Sequence, residues 1–191
     1  REGEYILDTP LVLTSADGND SKELIIKNYP GEKTVLSSGI VLDLKWEKYK
    51  NGIMRAVVKG SPVMDMLFVN GELKSMARYP NYDEKAVRFN GTSALATAPE
   101  RVKKWKCPEG GYLHAMHKHD WGDFHYRITG KNEKGELQLE GGWQNNRPMG
   151  IHNENRMVEN IFEELDAPGE WYYDKQEGWL YYYPLSDENI N

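Results

Sequence analysis

Residues 163–184 have the sequence EELDAPGEWYYDKQEGWLYYYP, and no other stretch is as specific about the fold. Two aromatic runs, WYYD and WLYYYP, flank a four-residue segment that ends in Gly178. Glycine, proline and aspartate favour tight turns, whereas aromatic residues favour strands. The pattern therefore predicts a β-hairpin that is entered through a second tight turn at Asp166–Gly169, with aromatic side chains filling both faces of the hairpin.

A second hairpin is predicted around Asn70-Gly71, between the strands Met66–Val69 and Glu72–Ala77. Asparagine and glycine favour a type I′ turn because both central positions need a positive φ. Apolar and aromatic residues bounded by turn residues indicate further strands over residues 53–59, 112–117, 124–128, 136–140 and 156–160.

Helical signals are few. Residues Ala98–Trp105 have a proline at the start, an acid in the first turn and lysines in the last turn, and this order is typical of a short helix. Residues Ile161–Leu165 are predicted to form one helical turn. The chain is therefore predicted to be mainly β, with one or two short helices.

Residues 1–45 differ from the rest of the chain, because their apolar runs are only three or four residues long. Such runs, separated by glycine, proline and aspartate, are typical of coils in a parallel solenoid or of short strands in a sandwich. From Trp46 the strands become longer, so we predict a boundary that divides the chain into residues 1–45 and 46–191. The short runs are Tyr5–Leu7, Leu11–Leu13, Leu24–Ile26 and Ile40–Leu42.

Composition excludes several classes of function. The 30 acidic and 24 basic residues give a formal charge of −6, which argues against nucleic acid as a partner. Cys107 is the single cysteine, so an intrachain disulfide or a multi-cysteine zinc site cannot form. No apolar run approaches the roughly 20 residues that a membrane-spanning helix needs, so no membrane span is predicted.

Histidines are concentrated in residues 114–125, which hold four of the five. If this stretch begins with a strand, His117 and His119 lie on the same face. Together with Asp120 or Asp123 they could supply three ligands to zinc. No further histidine or glutamate stands at a recognised ligand spacing, however, and the signature of helical zinc hydrolases is absent. We therefore predict no metal and no other cofactor. The alternative is a zinc site formed by His117, His119 and Asp120.

The carboxylates give no evident catalytic pair. Glycoside hydrolysis usually needs two carboxyl groups, about 5 to 5.5 Å apart for retention or about 6.5 to 9.5 Å apart for inversion. Asp120 with Asp123 and Asp166 with Glu170 are candidate pairs, but closeness in sequence does not fix that separation. Asp166 precedes Ala-Pro-Gly and is predicted to cap the turn by accepting backbone N–H groups. Glu163 and Glu164 are predicted to lie on a solvated helical turn. No catalytic residue is assigned.

Aromatic residues suggest carbohydrate binding, because flat rings with polar edges stack on sugar rings. Trp121 and Trp143 each lie beside a glycine in a polar loop, and they are the predicted ligand contacts together with Asn145 and Arg147. Arg78 follows a strand and could bind a carboxylate or a sugar hydroxyl. A structural ion pair is the alternative for this arginine.

Several motifs together resemble the N-terminal portion of right-handed parallel β-helix glycoside hydrolases. The first coils are similar over GEYIL (residues 3–7) and residues 30–37. The remaining motifs are LFVNGE (67–72), MARYPN (76–81), VENI (158–161), ELDAPGEWYYD (164–174) and GWLYYYP (178–184).

This resemblance implies the first coils of a parallel β-helix over residues 1–45. An inserted antiparallel β-barrel or sandwich-like domain over residues 46–191 would end in the aromatic hairpin. It also implies a secreted, periplasmic or cell-surface enzyme that cleaves glycosidic bonds in polysaccharides. The catalytic carboxylates of such enzymes lie on later coils, so this chain is expected to be a fragment whose partner is the remainder of the β-helix. The alternative is a non-catalytic carbohydrate-binding or interaction module.

Overall fold

The computed structural model describes residues 1–18, 21–60, 62–144, 147–148 and 150–190, without the side chains of residues 143–149. The protein is mainly β, as predicted, and its helices are short. The chain divides into two compact units, Arg1–Asp43 and Leu44–Asn191. Each unit is built around its own sheet or sheets.

The first unit contains one pair of parallel strands, β1 (Gly3–Ile6) and β2 (Thr34–Ser37). The other short runs form no strand within the described residues, since a strand needs a hydrogen-bonded neighbour. Their apolar side chains are exposed to an unusual degree for a folded unit. The exposed set comprises Leu11, Val12, Leu13, Leu24, Ile25, Ile26, Ile40 and Val41.

The second unit contains all the remaining strands and helices. A 3₁₀ helix spans Ala94–Thr97, a single-turn helix, α1, spans Pro99–Val102, and a second 3₁₀ helix spans Phe162–Glu164. The strands are β3 (Glu47–Lys48), β4 (Met54–Val57), β5 (Leu67–Val69), β6 (Glu72–Met76), β7 (Arg78–Tyr79), β8 (Tyr112–His117), β9 (Asp123–Lys131), β10 (Leu137–Gly141), β11 (Trp143–Gln144), β12 (Arg147–Pro148), β13 (Ile151–Glu159), β14 (Glu170–Asp174) and β15 (Trp179–Tyr182).

The predicted aromatic hairpin is confirmed and occupies the centre of a six-stranded sheet. The strand order is β3-β4-β15-β14-β6-β5, so the hairpin strands β14 and β15 have neighbours on both sides. Trp171 and Tyr182 stand opposite each other, and both are fully buried. Because successive strand residues point to opposite faces, Tyr172 is buried against the other side of the sheet, with Ile53 and Leu165.

The second large sheet has the order β10-β9-β8-β13-β7 and is antiparallel throughout. Its core contains side chains from the sheet and from the segment around α1. These buried residues are Ala96, Val102, Trp105, Leu113, Phe124, Tyr126, Ile128, Val158 and Ile161. In the described part of the chain, both large sheets are open rather than closed into a barrel.

The six-stranded sheet has a tight turn between β5 and β6 and a tight corner before β14, and the two are formed differently. The predicted Asn70-Gly71 hairpin is confirmed, with φ of 54° and 80° at the two turn residues. At the Asp-Ala-Pro-Gly corner, however, Asp166 does not accept the backbone N–H groups. Glu170 does so instead, through Oε2, from the backbone N–H groups of residues 166 and 167 at 3.3 and 3.2 Å. The turn is therefore capped from its end by Glu170 and not, as predicted, from its start by Asp166.

Glu164 also differs from the prediction, because it is 4% exposed rather than solvated. Its Oε1 accepts the indole N–H of Trp105 at 2.7 Å, and its Oε2 lies 2.7 Å from Nη1 of Arg101. A buried carboxylate is tolerated only when such partners replace water. The second 3₁₀ helix is therefore attached to the α1 segment by a buried ionic contact.

Among the described residues, no helix is both long and apolar enough to cross a membrane.

Replacement of Glu164 by alanine is expected to destabilise the protein by about 3 kcal/mol, because the Trp105 indole N–H and the Arg101 guanidinium would lose their acceptor. Urea unfolding followed by circular dichroism measures this loss. Glu163→Ala is the matched control, since it removes an adjacent carboxylate from a less buried site and is expected to cost about 1 kcal/mol or less. Equal losses in the two variants would contradict the assigned role of Glu164.

Candidate functional site

Trp121 lies in the turn between β8 and β9, and its side chain is 74% exposed. Its indole ring stacks on the imidazole of His117 with ring centroids 5.4 Å apart and planes inclined by 23°. The turn is closed by backbone hydrogen bonds from His117 N–H to Gly122 O and from Asp120 N–H to His117 O. One face of the Trp121 ring therefore packs on His117, and the other face is open to solvent.

The zinc ligands suggested by sequence are used in other contacts. His117 is buried, which lowers the pKa of its imidazole, and its Nδ1 accepts the backbone N–H of His119 at 3.1 Å. Burial acts to raise the pKa of Asp120, but the hydrogen bonds from Arg88 and Asn155 and the charges of Arg88 and His152 together hold that pKa below its usual range. Within the described residues, no group of three or more histidine, cysteine or acidic side chains is arranged to hold a metal ion.

His114 points to the opposite face of β8, as strand alternation requires. Its Nε2 lies 2.7 Å from Oε1 of Glu159, and its Nδ1 contacts Nδ1 of His125. His125 in turn contacts the exposed Asp123, whose Oδ2 lies 3.3 Å from Nε2 of His125. The side chains of Glu159, His114, His125 and Asp123 thus form a connected row.

Arg78 is 5% exposed, and its guanidinium stabilises the loop that follows it by donating hydrogen bonds to backbone carbonyls. Its Nε donates to Pro80 O at 2.9 Å, while its Nη2 donates to Phe89 O at 2.6 Å and to Gly91 O at 3.1 Å. Burial lowers the pKa of the guanidinium, and the negative charges of Glu159 and Glu170 oppose that effect. The hydrogen-bond partners of the Arg78 guanidinium are thus backbone carbonyls, and among the described residues it forms no ion pair.

A cavity of about 650 Å³ opens beside Arg78. We call it the Glu170 cavity, after the buried carboxylate in its wall. Its size is within the range of small-molecule sites in proteins. The wall combines carboxylate, amide, cationic and apolar side chains, including Arg78, Asn81, Tyr82, Glu159, Glu170, Lys74, Met76 and Leu185.

Burial raises the pKa of Glu170 to about 8, and the backbone N–H groups of Ala167, Asp166 and Arg78 only partly offset this effect. The side chain is 2% exposed, and its Oε1 has no hydrogen-bond partner among the described residues. Removal from water disfavours the ionised carboxylate, so the protonated acid predominates at neutral pH. The spacing Asp-Ala-Pro-Gly-Glu was the available signal, because it places an acid where it can reach back over a turn.

The other sequence-predicted contacts fall at the edge of what the structure describes. Trp143 belongs to β11 and Arg147 to β12, and the two strands pair with each other. Their side chains and all of Asn145 lie outside the described residues. Arg78 and Trp121 belong to different parts of the second unit: the arginine lines the Glu170 cavity, and the tryptophan does not.

No protein-family model matches the chain, and no match is found among curated proteins. A solved structure named "Glycoside hydrolase" matches 99% of the chain with a TM-score of 0.69 and 24% sequence identity. The chain spans about a third of that structure's length, since the match covers 36% of it. The two proteins therefore share a glycoside-hydrolase-like fold over this portion.

We expect Glu170→Gln to remove a loss of stability that the native protein shows between about pH 5 and pH 8. The pKa of Glu170 is about 8 in the folded protein, whereas an unfolded glutamate titrates near 4.3. Folding therefore favours the bound proton, and this contribution is complete below the unfolded pKa and lost as pH rises towards 8. Glutamine retains an oxygen for the two turn N–H groups and cannot ionise.

The measurement is the free energy of urea unfolding at several pH values for the native protein and for Glu170→Gln. Asp166→Asn is the matched control, because it changes an exposed carboxylate in the same turn. The difference between native protein and Glu170→Gln should change with pH, whereas the difference for Asp166→Asn should change much less. Parallel pH profiles for native protein and Glu170→Gln would refute the raised pKa.

Proposed function

We propose that this chain is part of a longer glycoside hydrolase that acts on polysaccharide, and that its first unit begins a right-handed parallel β-helix. The observation that carries the proposal is the fold shared with the glycoside hydrolase structure over 99% of this chain. The chain has no assigned catalytic pair of its own under this proposal. A secreted, periplasmic or cell-surface location goes with it, because extended polysaccharides are found outside the cytoplasm.

Features of the first unit support the β-helix part of the proposal. Strands β1 and β2 pair in parallel, with Gly3 opposite Thr34 and Ile6 opposite Ser37. Side chains such as Val12, Ile25 and Val41 are 71%, 62% and 75% exposed, respectively. A single solenoid coil cannot bury its own apolar face, and further coils stacked on it would cover such residues.

The carboxylates of the second unit support a location of the catalytic pair elsewhere in the longer protein. Glu164 is occupied by Trp105 and Arg101 and Glu159 by His114, while Glu170 gives one of its two oxygens to the turn N–H groups. Glycoside hydrolysis needs one carboxylic acid and one carboxylate placed on either side of the scissile bond. Residues with fixed structural partners are poorly suited to exchange protons with a substrate.

A non-catalytic carbohydrate-binding module is the second candidate, and the exposed ring of Trp121 favours it. Aromatic rings that bind sugars present one open face on a rigid support. The indole of Trp121 has such a support in His117, with which it stacks. The two proposals differ in what the complete natural protein does. A glycoside hydrolase would hydrolyse the glycan, whereas a binding module would bind it without hydrolysis.

Residues 1–191 by themselves are expected to show no hydrolysis of a panel of plant and host polysaccharides, measured by release of reducing ends. The physical reason is that the proposal assigns the catalytic acid and base to another part of the longer protein. The complete natural protein assayed in parallel should show turnover. Hydrolysis by residues 1–191 that is abolished by a carboxylate substitution within them would overturn the assignment, and no turnover by the complete protein would favour the module.

Trp121→Ala is expected to weaken glycan binding about 5- to 30-fold, because loss of one stacked ring removes roughly 1 to 2 kcal/mol of contact. Calorimetric titration with neutral oligosaccharides measures the affinity. The control variant is Phe68→Ala, which removes another exposed aromatic ring outside the Glu170 cavity. Unchanged affinity in Trp121→Ala would count against Trp121 as a ligand contact, and the stability of both variants should match that of the native protein.

A further inference from the structure

Three segments of the second unit enclose a cleft of about 370 Å³, separate from both Trp121 and the Glu170 cavity. The first is the turn at residues 50–53, the second follows α1 at residues 104–106, and the third is the second 3₁₀ helix with Leu165. Each segment contributes to the wall. We call this the lysine cleft, because Lys50, Lys104 and Lys106 line it.

The three lysines give the cleft a positive charge in a protein whose formal charge is −6. All three are exposed, and in the described part of the chain none of them forms an ion pair. Glu163 is the one acidic side chain in the wall, so the local balance is three positive charges to one negative. Its Oε1 accepts the backbone N–H of Lys106 at 3.0 Å. An unpaired cationic group in a concave site favours an anionic ligand.

The floor of the lysine cleft is apolar and firmly packed. Phe162 contacts the rings of Tyr172 and Tyr181 with centroids 5.3 and 5.0 Å apart, and Ile53 and Leu165 beside it are buried. Lys50 Nζ lies 5.7 Å from the centroid of the Phe162 ring. The cleft therefore offers an aromatic surface with an ammonium group above it.

Hydrogen bonds hold the walls in place without a ligand. In the first wall, the N–H of Tyr49 donates to Ile53 O and the N–H of Ile53 donates to Lys50 O, both at 2.9 Å. The contact between Glu163 and the Lys106 backbone joins the second wall to the third. A site whose backbone is already fixed loses less conformational entropy when it binds a ligand.

We propose that the lysine cleft binds an acidic saccharide, namely a sugar unit that carries a carboxylate or a sulfate group. The anionic group would contact the ammonium groups of Lys104 and Lys106, and the apolar face of the sugar ring would rest on Phe162. Ammonium groups bind such anions as compact charges, and the accessible part of an aromatic ring can contact the apolar face of a sugar. This inference rests on the proposed carbohydrate function, and it narrows the substrate class to acidic polysaccharides.

The test is calorimetric titration of the protein with tetragalacturonic acid and with a neutral galactose tetrasaccharide, at low salt and at 0.3 M salt. The native protein should bind the acidic saccharide more tightly, and salt should weaken that binding. The double variant Lys104→Gln/Lys106→Gln should lose about 5- to 10-fold in affinity for the acidic saccharide. Its affinity for the neutral saccharide should not change.

The matched control is Lys134→Gln/Lys175→Gln, which removes the same charge from two exposed lysines outside the cleft. This variant should bind the acidic saccharide as the native protein does. Inorganic phosphate and a single-stranded oligonucleotide serve as anions without the sugar. Equal binding of these probes would indicate general attraction of polyanions and would overturn the proposal, as would equal losses in the two double variants.

Failure of this inference can be told apart from failure of the proposed function. If neutral glycans bind through Trp121 while Lys104→Gln/Lys106→Gln retains native affinity for the acidic one, only the lysine cleft proposal is overturned. If neither saccharide binds while the complete natural protein hydrolyses a polysaccharide, the lysine cleft proposal falls and the proposed function stands. Binding of the acidic saccharide that depends on these two lysines supports the inference even where Trp121→Ala has no effect.

Discussion

The pairing of β14 with β15 is the interaction on which the second unit depends. This hairpin forms the middle of the six-stranded sheet, with β6 beside β14 in parallel and β4 beside β15 in the antiparallel direction. Trp171 and Tyr182 are opposed at its centre and have no exposed surface. Burial of rings of this size gives several kcal/mol of stabilisation, and loss of the hairpin would also divide the sheet into two smaller parts.

The turn that leads into this hairpin shows how polar groups are used within such a core. Glu170 gives one oxygen to the backbone of the Asp-Ala-Pro-Gly corner and leaves the other buried without a partner. Its protonated form is favoured because a buried charge costs more than a buried acid. A protonated carboxyl group remains a good acceptor for the turn, so a stable corner and a raised pKa have the same origin.

The short segment at residues 162–164 connects this core to the surface. Phe162 lies at the floor of the lysine cleft, Glu163 accepts the Lys106 backbone N–H, and Glu164 contacts Trp105 and Arg101 in the interior. Three consecutive side chains in a 3₁₀ helix point about 120° apart. One turn can thus face a cleft, a neighbouring segment and the core at once, which explains why a buried acid and an exposed site are adjacent in sequence.

Local signals predicted the elements of this structure well, and long-range contacts explain what they missed. The Asn70-Gly71 turn and the aromatic hairpin follow from residues close together in the chain, and so does the short helix at Pro99–Val102. Glu164 was misjudged because its partner Trp105 is 59 positions away, and only the tertiary fold brings them together.

The difference between local signals and long-range contacts also separates Trp121 from the lysine cleft. Trp121 could be selected from sequence, since a tryptophan beside glycine in a polar loop is exposed by its local context alone. The lysine cleft could not, because its walls come from three segments separated by about fifty residues each. Net charge was equally uninformative, since an excess of acidic residues over the whole chain says nothing about where positive charges gather. Whether a protein attracts an acidic ligand is decided by the field at the site, and only the fold determines which charges contribute to it.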